Sequence, residues 1–89
     1  MAFSIDWGEL VLYDSFNIEQ VAECWSGLKG LGLQTLLMLN LRNLQSMDLA
    51  GLQVVLLILR ECPNIQVLLP VNSELHSLLT SIGVKEGDG

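Results

Sequence analysis

The stretch QSMDLAGLQVVLLILREC, Gln45 to Cys62, decides the architecture. It holds an Asp, a Gly and then an apolar run from Val54 to Leu59. Such a run is a buried strand, a buried helix, or a helix with apolar residues on its outer side. Its neighbours choose among these. LQTLLMLNL, Leu33 to Leu41, is a continuous apolar segment between turn residues. It predicts a strand buried on both faces, as in a parallel sheet. NIQVLLP, Asn64 to Pro70, repeats the pattern after the break at Cys62-Pro63. Consecutive parallel strands need a crossover of about a dozen residues, usually a helix. The interval from Leu41 to Ile65 has to contain it, so Leu49 to Cys62 is expected to be helical.

At about 100° per residue, Leu52, Val55, Ile58, Leu59 and Cys62 gather on one side of that helix, with Gly51 among them. This is the expected core face, and Gly51 allows a close approach to the sheet. Ala50, Gln53, Arg60 and Glu61 gather opposite. Leu57 falls in the middle of that polar side, with Leu49 and Val54 at its margins. These apolar residues either tuck under a loop or stand alone on the surface, or they form a patch facing a partner. Their clustering near the helix start favours the patch. Asp48 is the expected N-cap, its carboxylate accepting first-turn amides at the positive end of the helix dipole. That role outweighs a catalytic one.

FSIDW, Phe3 to Trp7, alternates apolar and polar and predicts a half-buried strand. Leu10 to Leu12 either continues it past a bend at Gly8 or forms a second strand. Asn17 followed by Gln20 has the form of a capping box. Ile18, Val21, Ala22, Trp25 and Leu28 follow at helical spacing, with Gly30 or Gly32 as the stop. Asn72 caps a further helix whose stripe is Leu75, Leu78, Leu79 and Ile82, ended by Gly83. Strand, helix, strand, helix, strand, helix predicts an α/β domain: a small mixed or mostly parallel sheet with crossover helices packed on it. One domain over residues 1–84 with a flexible tail at 85–89 is expected.

Of the 89 residues, 51% are apolar, enough for a core and against disorder. No apolar run approaches the roughly 20 residues needed to span a bilayer, and the N-terminus does not read as a signal peptide. The net charge of −6 opposes binding to nucleic acid or to an anionic membrane. Cys24 and Cys62 are expected to be buried free thiols in a reducing cytoplasm rather than a disulfide or metal site. His76 is expected on the polar side of its helix, with no acid, nucleophile or metal partner at a useful spacing. No zinc spacing, phosphate loop or Ser/His/Asp signature occurs. GLKGLGLQ follows a helix rather than opening one and is a weak phosphate-loop candidate. No enzyme activity and no cofactor are expected.

NLRNLQSMDLAGLQVVLLILREC resembles the signature region of STAS domains, the fold of bacterial anti-sigma factor antagonists. In that family a buried strand leads through a short loop to an Asp, a Ser, a small residue or Ser/Thr, a Gly, a Leu and then a helix. The matching residues are Asp48, Leu49, Ala50, Gly51 and Leu52. WGEL, Trp7 to Leu10, is similar to the Gly-Glu-Leu after the family's early strand. LLPVNSELHSLLTSIGV, Leu68 to Val84, resembles its penultimate strand and capped helix. The resemblance covers essentially the whole chain. It implies a STAS-like fold and a non-enzymatic role in binding a cytoplasmic regulatory partner, such as an anti-sigma ATPase-kinase. The surface it implies is the loop at Ser46 to Asp48 with the start and outer face of the second helix: Ser46, Asp48, Leu49, Ala50, Gln53, Val54, Leu57 and Arg60.

The chain departs from the family where antagonists carry a phosphorylatable Ser or Thr. Leu49 and Ala50 stand there, and neither has a hydroxyl. Ser46 precedes the Asp and does not match. Phosphorylation would place about −2 charges at a helix start, and Leu49 implies a permanently apolar contact instead. An accessory subunit on an ABC transporter ATPase is therefore an alternative, as is a scaffold in a chemotaxis or other signalling complex. The family's further outer strand and its final strand and helix look absent or minimal. An open sheet edge would follow, suited to pairing with another chain as a homodimer.

Overall fold

A computed structural model of the chain describes residues 3–32 and 35–88. Strands β1 (Phe3–Asp6) and β2 (Glu9–Leu12) form a hairpin, and β3 (Asp14–Phe16) follows directly. Helix α1 (Ile18–Leu31) leads to β4 (Met38–Asn40) and β5 (Leu44–Met47). Helix α2 (Leu49–Glu61), β6 (Gln66–Leu68), α3 (Ser73–Ser81) and β7 (Gly87–Asp88) complete the order. The main sheet is mixed, ordered β1-β2-β4-β6-β7, and β3-β5 form a separate pair. Its central pairings, β2-β4 and β4-β6, are parallel, each crossed by a helix as that geometry demands. The expected α/β class and crossover helices are thus present.

The two readings of the N-terminal segment resolve as a hairpin: Asp6 pairs with Glu9, and Trp7-Gly8 is the turn. Both turn residues have positive φ, 51° and 82°, which matches the twist of a two-residue hairpin. Glycine adopts this freely, whereas a Trp pays for it. A side chain on Gly8 would also press on the Thr35 carbonyl at 3.1 Å. The Gly8 carbonyl accepts the amides of Leu37 at 2.7 Å and Met38 at 3.1 Å, which seats β4 beside β2.

One sheet face is the core. Leu10, Leu39 and Val67 lie abreast in neighbouring strands, each buried. Alternate residues point away, where Asn40 donates from Nδ2 to Glu9 Oε2 at 2.9 Å. Helices α1 and α2 pack against each other. Their contributions to the core include Cys24, Leu28, Val55 and Ile58, all fully buried. Full burial of each aliphatic side chain contributes about 1.5–3 kcal/mol. No polar side chain is buried among the described residues.

Several expectations change. The apolar strand expected at Leu33 to Leu41 is only Met38–Asn40, and Leu37 is exposed; Leu33 and Gln34 lie outside the described residues. Leu44–Met47 is a strand that takes in part of the loop expected at Ser46 to Asp48, because Asp14–Phe16 supplies it with a parallel partner. On α1, Ile18 and Ala22 are exposed and Cys24 takes the core position. The wheel's centre lies nearer Cys24 and Leu28 than the apolar residue types suggested. On α3, Leu75 and Leu79 are buried, but Leu78 and Ile82 stand partly out. In the segment expected as a loose tail, Gly87–Asp88 pairs antiparallel with Gln66–Val67. The Glu86 carboxylate also accepts the Leu69 amide at 3.2 Å.

Candidate functional site: two helix starts held by one carboxylate

The parallel pairing of β3 with β5 creates the site. Phe16 lies beside Met47 in register. The residues that follow, Asn17 and Asp48, are the N-caps of α1 and α2. Two helices therefore begin side by side. Asn17 closes its own helix start: its Oδ1 accepts the Glu19 amide at 3.0 Å, and Gln20 Oε1 accepts the Asn17 amide at 3.2 Å. Asp48 closes both. Its Oδ1 accepts the Gly51 amide of α2 at 2.9 Å, and its Oδ2 accepts the Ile18 amide of α1, also at 2.9 Å. These bonds, that from Gly51 first and that from Ile18 next, hold its carboxyl below the usual carboxylate range. The carboxylate is thereby committed to structure.

Gly51 sets the depth of the site. A Cβ there would collide with the Phe16 carbonyl oxygen and lie 2.8 Å from Met47 Cγ and 2.9 Å from Phe16 Cδ2. Only glycine lets α2 sit this close to β3 and β5, as its place on the core face suggested.

The residues expected to meet a partner differ in exposure and place. Leu49 is 69% exposed beside Asp48, and Gln53 and Arg60 are exposed. Ala50 and Leu57 are half-buried. Val54 corrects the expectation: it is only 8% exposed, because α1 covers that margin of α2. Ser46 is exposed on β5, opposite Ser15 of β3, and so belongs to a strand rather than to the helix start.

Other residues join them. Ile18 is 69% exposed next to Leu49. From Ile18 a shallow apolar groove runs between the helices, lined by Val21 and Trp25 of α1 and by Ala50, Gln53, Val54 and Leu57 of α2. Gln53 and Leu57 also border a second depression, shared with Leu56 and Arg60. The outer side of α2 is thus a ridge with apolar surface on both flanks. Ile18, Trp25 and Leu56 were missed because the wheel placed Ile18 and Trp25 on a core stripe and Leu56 on neither side. A signal was nonetheless present: in both Asn17-Ile18 and Asp48-Leu49 a capping residue is followed at once by a large aliphatic.

Cys24 and Cys62 form no disulfide. Burial pushes the Cys24 thiol up to about 11 and raises that of Cys62, with Glu61 adding to the second. His76 is exposed, its Nδ1 3.3 Å from the Pro70 carbonyl. No group of His, Cys, Asp or Glu among the described residues is arranged to hold a metal. No helix among them is long and apolar enough to cross a membrane. Comparisons with protein-family models, curated proteins and solved structures found no match.

Proposed function

We propose that the chain is a non-enzymatic, STAS-type docking module that binds a cytoplasmic protein partner through the paired starts of α1 and α2 and the outer side of α2. The observation that carries this reading is the pair Ile18 and Leu49, each 69% exposed, flanking a carboxylate that accepts an amide from each helix. Two large aliphatics held in water by a rigid clasp, with an apolar groove behind them, suit a partner's side chains. Support for the STAS assignment is the Asp48-Leu49-Ala50-Gly51-Leu52 segment at a helix start, and the alternation of parallel strands with crossover helices.

The contact is constitutive. Leu49 and Ala50 occupy the positions where a phosphate would enter, and neither accepts one. An anti-sigma ATPase-kinase fits this module as a binding target but not as a kinase acting at that site. A second reading, an accessory subunit seated on the ATPase of an ABC transporter, is favoured by the same permanently apolar Leu49. Affinity capture from the native cell, with Leu49→Asp as the control bait, tests both. The expected result is one ATPase-containing protein retained by the parent chain and lost with the variant. Equal recovery on both baits contradicts the proposal, and the identity of the captured ATPase chooses between the readings.

A further inference from the structure

We infer that the groove on the other flank of α2 binds a free fatty acid. It has a volume of about 430 Å³, within the roughly 300–1,000 Å³ usual for small-molecule sites. Ile65 and Val67 come from β6 and its approach, Leu56 and Leu59 from α2, and Ile82 and Val84 from the end of α3 and beyond. Those side chains offer hydrocarbon and nothing else. The charged residues lining the groove are Arg60 and Lys85. They are two of only four cations in a chain of net charge −6, and no carboxylate lines the groove among the described residues. Of the nearest acids in sequence, Glu86 meets Arg42 at 3.4 Å and the Leu69 amide, and Glu61 lines an adjoining depression that shares Cys62, Pro63 and Ile65 with the groove. Neither Arg60 nor Lys85 has an ion-pair partner among the described residues.

An apolar trough with two cations, on an otherwise acidic protein, is complementary to a single acyl chain ending in a carboxylate. A cationic amphiphile would meet repulsion at the head, and a neutral one would leave both cations unused. A nucleotide would bury its polar base against Val67, Ile65 and Ile82 with no hydrogen-bond partner from these side chains. The inference does not rest on the docking reading, although Leu56 and Arg60 border both surfaces.

Calorimetric titration of the full chain with octanoate, decanoate and dodecanoate, each below its micelle concentration, tests it. Each added methylene is expected to tighten binding about threefold to fourfold until the groove is filled. Methyl dodecanoate and dodecyltrimethylammonium are expected to bind at least about tenfold more weakly than dodecanoate, the scale of one lost charge-assisted contact. Arg60→Gln with Lys85→Gln is expected to remove the preference for the acid while leaving ester binding in place. Ile82→Glu, at a partly exposed position, is expected to abolish binding without unfolding. Amide shifts in NMR spectra should gather at Leu56, Ile82 and Val84. Absence of binding, equal affinity for acid and ester, indifference to chain length, or shifts gathered at Ile18 and Leu57 would each overturn it. So would binding to vesicles of anionic phospholipid without binding to dodecanoate.

Discussion

Asp48 joins two helix starts with one side chain, so its loss should be felt in both. Replacement by Ala removes acceptors for the Gly51 and Ile18 amides together. Stability should fall more than for Asn17→Ala, which affects one helix alone; paired thermal melts would check this. The pH dependence follows from the depressed carboxyl. A group with a lowered folded pKa stabilises above its unfolded value, about 3.9, and that stability is lost as pH falls through the folded value. Acid titration of stability should therefore be flatter below pH ~4 in Asp48→Asn than in the parent chain. Gly51→Ala should destabilise by about 1–3 kcal/mol, since overpacking against Phe16 and Met47 outweighs the gain in helix propensity. An unchanged melting temperature would mean that α2 does not sit this deep. Trp7→Asn should stabilise by about 1 kcal/mol. It relieves a positive φ on a bulky residue that is 94% exposed, and Asn-Gly suits the turn. A loss of stability would mean that the Trp7 ring makes a contact worth keeping.

At the scale of elements, α2 carries the account. Its identity as a helix was legible in the sequence because two strand-like segments flanked it and a parallel crossover demanded it. Its buried side was largely legible: Gly51, Val55, Ile58 and Cys62 are buried, while Leu52 and Leu59, expected with them, are half-buried against the core. Val54 was not, because a helical wheel does not show that a neighbouring helix covers one margin. The clasp at Asp48 was half legible. A cap on α2 follows from residue type and position, but the bond to Ile18 depends on β3 pairing with β5. Those strands span 3 and 4 residues, too short for an alternation to declare itself. Leu57→Asp places a charge on the half-buried outer side of α2. It should cost only about 1 kcal/mol and leave the circular dichroism spectrum unchanged, while weakening partner capture. An unfolded variant would show that Leu57 belongs to the core.

For the whole molecule, the main sheet organises everything else. Its parallel centre forces helical crossovers, the extra β3-β5 pair aligns the starts of α1 and α2, and their apolar surfaces face outward beside one another. The buried thiols report on this assembly. Cys24 is fully buried with its thiol pushed up to about 11, and thiolate is the reactive form. Alkylation at pH 8 should be slow in the folded protein and should accelerate in step with denaturant unfolding. Fast native labelling of Cys24 would indicate an open core. The central claim is that the paired helix starts are where a partner sits. Photocrosslinking in the native cell tests it most directly, with a photoreactive amino acid placed at Leu49 or, as a control, at Ser77 on α3. The account predicts a single protein adduct from position 49, lost when Leu57→Asp is added, and none from position 77. Equal adducts from both positions, or none from position 49, would contradict it.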